Sequence, residues 1–401
     1  MKVKFDNLLF IGIMMPIISA VMTYFIDIGL IVYSGIILST ILTFVCILSY
    51  KINKDQFFVF ISTSLFCIYN FILLSLVFLK QGSINFLIPI FFLANVIQIL
   101  LLSKNNNFEK YVNIYFISFF LIQFIFCILQ YTYLTYGFGL KSNVDYEGMI
   151  AGTFGNSNDL ATILVLFSIF LFINEDLNKK NRSILFFLTL ILLLMAVSRF
   201  ALLVFLIGIF IFYKGKILSK ILFIFGSFGI LYFIFSVIEN YKSIGLEAVD
   251  RIVIRLKTIQ DVVTDSGVSG DYSIDLRLNS YLYFLKNFQN IGFGTLQYGD
   301  YQNFGRYFNG SKDLIFKNPH SLIIEMAYWQ GYLGLIFLSF MFFMWVGKSK
   351  QIFKILFIII MISFIPSSVV MNLIFWEASF LLIFYARKID EKEYKMNINV
   401  R

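Results

Sequence analysis

Apolar residues come in runs of about 20 along most of the chain, separated by short polar connections, and the runs lack a two-residue alternation. A helix of about 20 residues crosses roughly 30 Å of hydrocarbon. Only helices satisfy their own backbone hydrogen bonds inside such runs, because the alternation of a barrel strand is missing. The pattern predicts twelve spans, at about 8–26, 28–50, 57–79, 84–103, 111–135, 158–174, 183–197, 200–213, 217–238, 320–346, 352–368 and 371–386.

One polar interval, 239–319, is far longer than the rest, and a structureless loop of that length is unusual. Within it Ile252, Leu256, Ile259 and Val263 recur at helical spacing, with Arg251 and Arg255 on another face, as in an interfacial amphipathic helix. "DLRLNSYLYFLKNF" repeats the pattern with Leu278, Leu282 and Leu285, sets Arg277 one turn from Tyr281, and is broken by the glycines of "NIGFG". The expected organisation is nine spans in 1–238, a large extracytoplasmic loop at 239–319, three spans in 320–387 and a cytoplasmic tail at 388–401.

Composition agrees with a membrane solvent: 59% of residues are hydrophobic and 14% charged, far from a soluble domain. Lys2 and Lys4 precede the first run as in a signal peptide, but no small-residue cleavage pattern follows, so that run is expected to remain as the first span. Cys46, Cys67 and Cys127 all lie in apolar runs without a CxxC pair, which argues against a disulfide or a cysteine metal site.

The net charge of +9 would suit a nucleic-acid partner if it were clustered, but its placement follows the polar connections instead. With the N-terminus inside, 20 of the 32 basic residues fall on cytoplasmic segments, and the short outer connections hold only Lys80, Lys141 and Arg199. The long interval is balanced, with nine basic and nine acidic residues. This is the positive-inside distribution.

That topology isolates Arg199. In "MAVSRFALL" it interrupts about 30 apolar residues, and the basic segments on both sides must share one face of the membrane, so two short helices must turn at the arginine. At about 14 residues, or roughly 21 Å, each is too short for the full hydrocarbon, which sinks Arg199 below the outer surface. A submerged arginine is costly unless it faces protein, water or an anion.

A second candidate is His320, the single histidine of the chain, in "NPHSLIIEMAYWQGYLG". Asn318 suits an N-cap and Pro319 the first helical position, which would put His320 in the first turn of the tenth span. The positive end of a helix disfavours imidazolium, leaving a neutral ring able to accept a proton, and its free amides favour an anion. Glu325 lies about 140° further round at 100° per residue and is expected to face the bundle interior. In the long loop Arg277, Arg251 and Arg255 could bind phosphate oxygens, with Tyr281 as a stacking face. No Walker A, GxGxxG or HExxH motif occurs, so neither ATP nor a nucleotide sugar is expected as a direct substrate, and no metal or cofactor is called for.

Four segments together resemble the O-antigen polymerase and O-antigen ligase family: "GTFGNSNDLA", "SRFALL", "DLRLNSYLYFLKNFQNIGFG" and "NPHSLIIEMAYWQGYLGLI". Their order and placement carry the resemblance, together with the number of spans and the large late loop. It implies an all-α polytopic membrane protein of about twelve helices, similar to the GT-C-type glycosyltransferases. The implied chemistry is metal-independent transfer of a glycan from undecaprenyl diphosphate at the outer face of the bacterial inner membrane.

The resemblance further implies that Arg199 and Arg277 hold the diphosphate and that His320 acts at the acceptor hydroxyl. Arg255, Arg251, Tyr281, Asn156, Asn158, Asn318 and Glu325 are candidate substrate-binding residues. A composition rich in Phe, Ile, Asn and Lys looks like that of AT-rich glycan clusters and favours a polymerase of O-antigen or capsule; the resemblance implies a flippase and a chain-length regulator as partners. Transfer to a lipid A core by a ligase is the alternative. A lipid-glycan transporter would show polar groups on both sides of its midplane and internal repeat symmetry, and a structural scaffold would leave Arg199 unexplained.

Overall fold

The computed structural model describes residues 2–25, 29–47, 54–81, 87–141, 150–196, 198–212, 280–296, 320–347, 349–366, 368–370 and 372–399. Among the described residues the regular structure is helical, with no strand. The long helices are α1 (Lys2–Phe25), α2 (Gly29–Ile47), α3 (Lys54–Gln81), α4 (Ile88–Leu102), α5 (Phe108–Tyr136), α6 (Ser157–Ile173), α7 (Lys179–Ala196), α8 (Arg199–Phe212), α9 (Leu322–Val346), α10 (Lys350–Ile362) and α11 (Leu373–Asn399). The expected span at 217–238 and the helix face of Ile252, Leu256, Ile259 and Val263 lie outside the described residues.

Among the described residues, four helical stretches are long and apolar enough to cross a membrane: Asp6–Phe25, Gln56–Leu76, α5 and α9. Ile88–Leu102, Ser157–Ile173 and Phe200–Phe212 are apolar but shorter. This is an all-α architecture of the polytopic membrane type. Two boundaries differ from expectation. Helix α11 continues to Asn399 through what looked like a tail, and α9 starts at Leu322, two residues after His320.

The chain divides into two compact units, the first comprising Met1–Ile117, Ser280–Ser363 and Ser367–Arg401, the second Ser118–Asn279 and Phe364–Pro366. In the first unit, aromatic rings of three helices share a core: Phe92 of α4 lies edge-on to Trp376 and Phe380 of α11, and Phe380 meets Trp345 of α9 at 4.5 Å. Hydrocarbon lipid gives apolar helices little reason to prefer one another, so buried polar groups and small residues select neighbours. The Gln98 amide of α4 donates to the Ser39 carbonyl of α2 at 2.7 Å, the Trp345 ring N–H to Thr63 of α3 at 3.2 Å, and Tyr115 of α5 to the fully buried Glu377 of α11 at 3.4 Å.

At one end of this unit Lys388 of α11 donates to the carbonyls of Ser103 and Asn105 just after α4, and Lys392 pairs with Glu109 at 2.6 Å. A cation beside the last carbonyls of a helix is favourably placed. Partial burial nevertheless lowers the Lys388 ammonium below the ordinary lysine value.

Helix α9 is not continuous. At Gly331 the backbone turns to φ 63°, ψ −152°, and three successive carbonyls take donors from elsewhere. Tyr328 O accepts from Thr295 N at 2.8 Å, Trp329 O from Leu296 N at 2.9 Å, and Gln330 O from the Tyr69 hydroxyl at 3.3 Å. The Tyr332 amide beyond the break donates to Gly292 O at 2.9 Å. The segment after "NIGFG" thus completes the helix ladder where the helix abandons it. Only glycine fits here, because a Cβ would stand 2.2 Å from Gly292 O and 2.4 Å from Phe293 C, both backbone atoms, at a φ that other residues rarely adopt. Gly331→Ala is expected to lower stability by about 3 kcal/mol, read as a fall in the thermal midpoint of the detergent-purified protein; an unchanged midpoint would contradict the close approach.

Candidate functional site

His320 stands immediately before the cap of α9, and not in its first turn. The cap is Ser321, whose hydroxyl accepts from Ile324 N at 3.4 Å while its carbonyl accepts the first helical bond from Glu325 N at 2.8 Å. The Leu322 amide is taken by the Ser363 hydroxyl, at 3.1 Å. A serine that can cap and a second serine from the connection after α10 therefore start the helix three residues later than Asn318 would have done. Asn318 and Pro319 lie outside the described residues. His320 itself has φ 47°, in the left-handed region that non-glycine residues seldom occupy.

Tyr281 is brought to His320. Its hydroxyl donates to the His320 carbonyl at 3.0 Å, so the phenol meets the histidine through its polar end. Tyr281 belongs to the helical stretch 280–286, which leads into a 3-10 turn at Phe288–Asn290. Ser280, Tyr283, Phe284 and Asn287 form the buried face of this stretch, at the spacing of one side of a helix, whereas Leu282 and Leu285 are exposed. Tyr283, Phe284 and Ile291 pack with Ile324, Ala327 and Tyr328 of α9, and the Tyr328 hydroxyl donates to Ser280 O at 3.0 Å. The leucine stripe of the sequence thus leaves the opposite, aromatic face to dock on α9.

Glu325 is fully buried one turn into α9, and its Oε1 accepts from the Ser368 hydroxyl at 2.6 Å. With Ser363 on the Leu322 amide, the connection between α10 and α11 holds the head of α9 at two points.

In the second unit, the "GTFGNSND" segment is fixed from α5. Gln130 of α5 donates to Gly152 O at 2.7 Å and accepts from the amides of Ala151 and Gly152 at 3.0 and 2.9 Å; Gln123 donates to the Thr153 hydroxyl at 2.7 Å and accepts from its amide at 3.0 Å. Gly152 has φ 61°, and a Cβ there would lie 2.2 Å from Gln123 Oε1. Asn156 caps α6, accepting from Asn158 N at 2.8 Å.

Asn158 in turn accepts from the Ser198 hydroxyl at 2.9 Å. Ser198 is the residue before Arg199, and its carbonyl accepts from Leu202 N at the start of α8. The break between α7 and α8 therefore falls where charge counting put it, and Arg199 is the first residue of α8. The two helices turn back on each other, with the rings of Phe186 and Phe205 stacked at 4.9 Å. A cation at a helix N-terminus opposes the macrodipole and has no stabilising reason to be there.

Of the sequence candidates, His320, Tyr281 and Glu325 are gathered at the head of α9, Asn158 meets Ser198 just before Arg199, and Asn156 caps α6. Arg277, Arg251 and Arg255 lie outside the described residues. Gln123, Gln130, Ser198, Ser363, Ser368 and Tyr328 were not singled out in the sequence. The two glutamines are seven residues apart on α5, two turns along one face of an otherwise apolar helix, a spacing that could have marked them.

The fold and these clusters define a multi-pass helical membrane protein whose buried polar side chains fix two helix starts, one at Arg199 and one just after His320. Residues 184–339 match the family model described as O-antigen ligase. The match takes in Arg199, Arg277, Tyr281, His320, Glu325 and Gly331, supports the O-antigen polymerase and ligase family, and suggests an enzyme of glycosyltransferase type. No curated protein and no solved structure matches the chain.

Proposed function

We propose that this protein polymerises a bacterial surface polysaccharide, O-antigen or capsule, at the outer face of the cytoplasmic membrane. The observation that carries this reading is that the matched region contains both Arg199, at the N-terminus of the apolar helix α8, and the single histidine, just before the cap of α9 with its backbone in the left-handed region. In the proposed reaction a hydroxyl of an incoming lipid-linked repeat unit attacks the anomeric carbon of the growing glycan. The bond from that carbon to the diphosphate oxygen breaks, undecaprenyl diphosphate leaves, and His320 takes the hydroxyl proton. Arg199 and Arg277 neutralise the leaving diphosphate by paired N–H contacts that a single ammonium does not reproduce. No metal is assigned a part.

The family model carries the description O-antigen ligase, and the second reading is a ligase, for which the acceptor would be a lipid A core. Detergent-purified protein supplied with lipid-linked repeat units alone is expected to yield a ladder of longer glycans. Glycan transfer only after lipid A core is added would establish the ligase, and no transfer to either acceptor would overturn both enzymatic readings, since a transporter needs a sealed membrane.

A further inference from the structure

The contact between Tyr281 and His320 goes further than a packing detail. His320 is held at φ 47°, between a helix cap that begins at the next residue and chain that arrives from the long loop. A histidine adopts this region only where its surroundings favour it. Its carbonyl has a donor in the Tyr281 hydroxyl at 3.0 Å. That hydroxyl is itself rigidly placed. Ser280 is tied to Tyr328 of α9, the Phe284 ring stands edge-on to the Tyr328 ring at 5.9 Å, and residues 292–296 are bonded across the break at Gly331. The docked segment and the head of α9 thus form one framework, in which the tyrosine spans the gap to the histidine.

We propose that Tyr281 is a positioning residue for His320: its hydroxyl holds the histidine backbone in the left-handed conformation from which the imidazole meets the acceptor. This rests on the functional reading of His320 given above. It assigns the phenol hydroxyl a task other than binding sugar, and it makes the histidine's geometry depend on docking of the segment that follows Arg277. Binding of the glycan substrate is not its task, so turnover and affinity should separate.

Because the chain has a single histidine, full-length protein labelled with carbonyl-13C histidine, and purified through a tag free of histidine, gives one carbonyl resonance. Tyr281→Phe is expected to shift that resonance. Tyr332→Phe, which removes a hydroxyl that donates to Phe288 O on the same segment, is expected to leave it in place. With lipid-linked repeat units extracted from the producing cells, Tyr281→Phe should lower kcat about three- to tenfold with little change in KM. In a His320→Ala background the same substitution should have no further effect.

An unmoved carbonyl signal, or equal shifts from the two tyrosine variants, would overturn the positioning role. So would a rise in KM at constant kcat, which would return Tyr281 to sugar binding. Full activity of His320→Ala would instead overturn the functional reading on which the inference rests, so the two failures are distinguishable.

Discussion

Cells that carry His320→Ala in place of the wild-type protein are expected to make single-unit glycans and no long chains, with the protein still present in the membrane at normal amount. Turnover of the purified variant should fall by about 10²- to 10⁴-fold, the range associated with losing a positioned general base. The head of α9 has holds of its own besides His320, since Ser321 caps the helix, Ser363 holds the Leu322 amide and Ser368 holds Glu325. A fall in activity with an unchanged thermal midpoint therefore reports chemistry and not unfolding. Long chains of normal length from His320→Ala would remove the base role outright.

The second large effect is expected at Arg199. Arg199→Ala should reduce kcat by about 10²- to 10³-fold, comparable to removing one preorganised group that stabilises developing negative charge. Arg199→Lys should recover only part of this, because a point charge lacks the planar fork that binds two phosphate oxygens at once. As the first residue of α8, Arg199 contributes a charge that the helix dipole opposes, so its replacement by alanine should not lower the thermal midpoint. Undiminished turnover in both variants, measured on purified protein with lipid-linked repeat units, would reduce Arg199 to a helix-end anchor.

Much of the helical layout could be read in advance because apolar run length is a direct consequence of membrane thickness. The α7–α8 turn was legible for another reason: flanking charges have to share one side, whatever the tertiary structure does. The start of α9 was not. Asn318 and Pro319 carry a good local capping signal, yet Ser321 prevails with help from Ser363, a residue 42 positions away from it in sequence. Local preference cannot anticipate such a partner. Gln123 and Gln130 were passed over because an amide in an apolar run declares its purpose only beside the 151–153 backbone. Asn156 and Asn158 drew attention as substrate ligands, and the fold gives both side chains structural partners.

The break at Gly331 escaped notice because glycine is common in membrane helices and nothing near it in sequence announces the segment that fills the gap. That arrangement has a consequence for biogenesis. A membrane helix with open carbonyls at Tyr328 and Trp329 leaves groups unsatisfied at several kcal/mol each in hydrocarbon. Their partners, Thr295 and Leu296, lie about thirty residues upstream and emerge from the ribosome before α9 does. Synthesis in the N-to-C direction therefore delivers the filler ahead of the helix it completes. A circular permutant that moved residues 280–296 behind α9 would reverse that order and commit an incomplete helix to the bilayer.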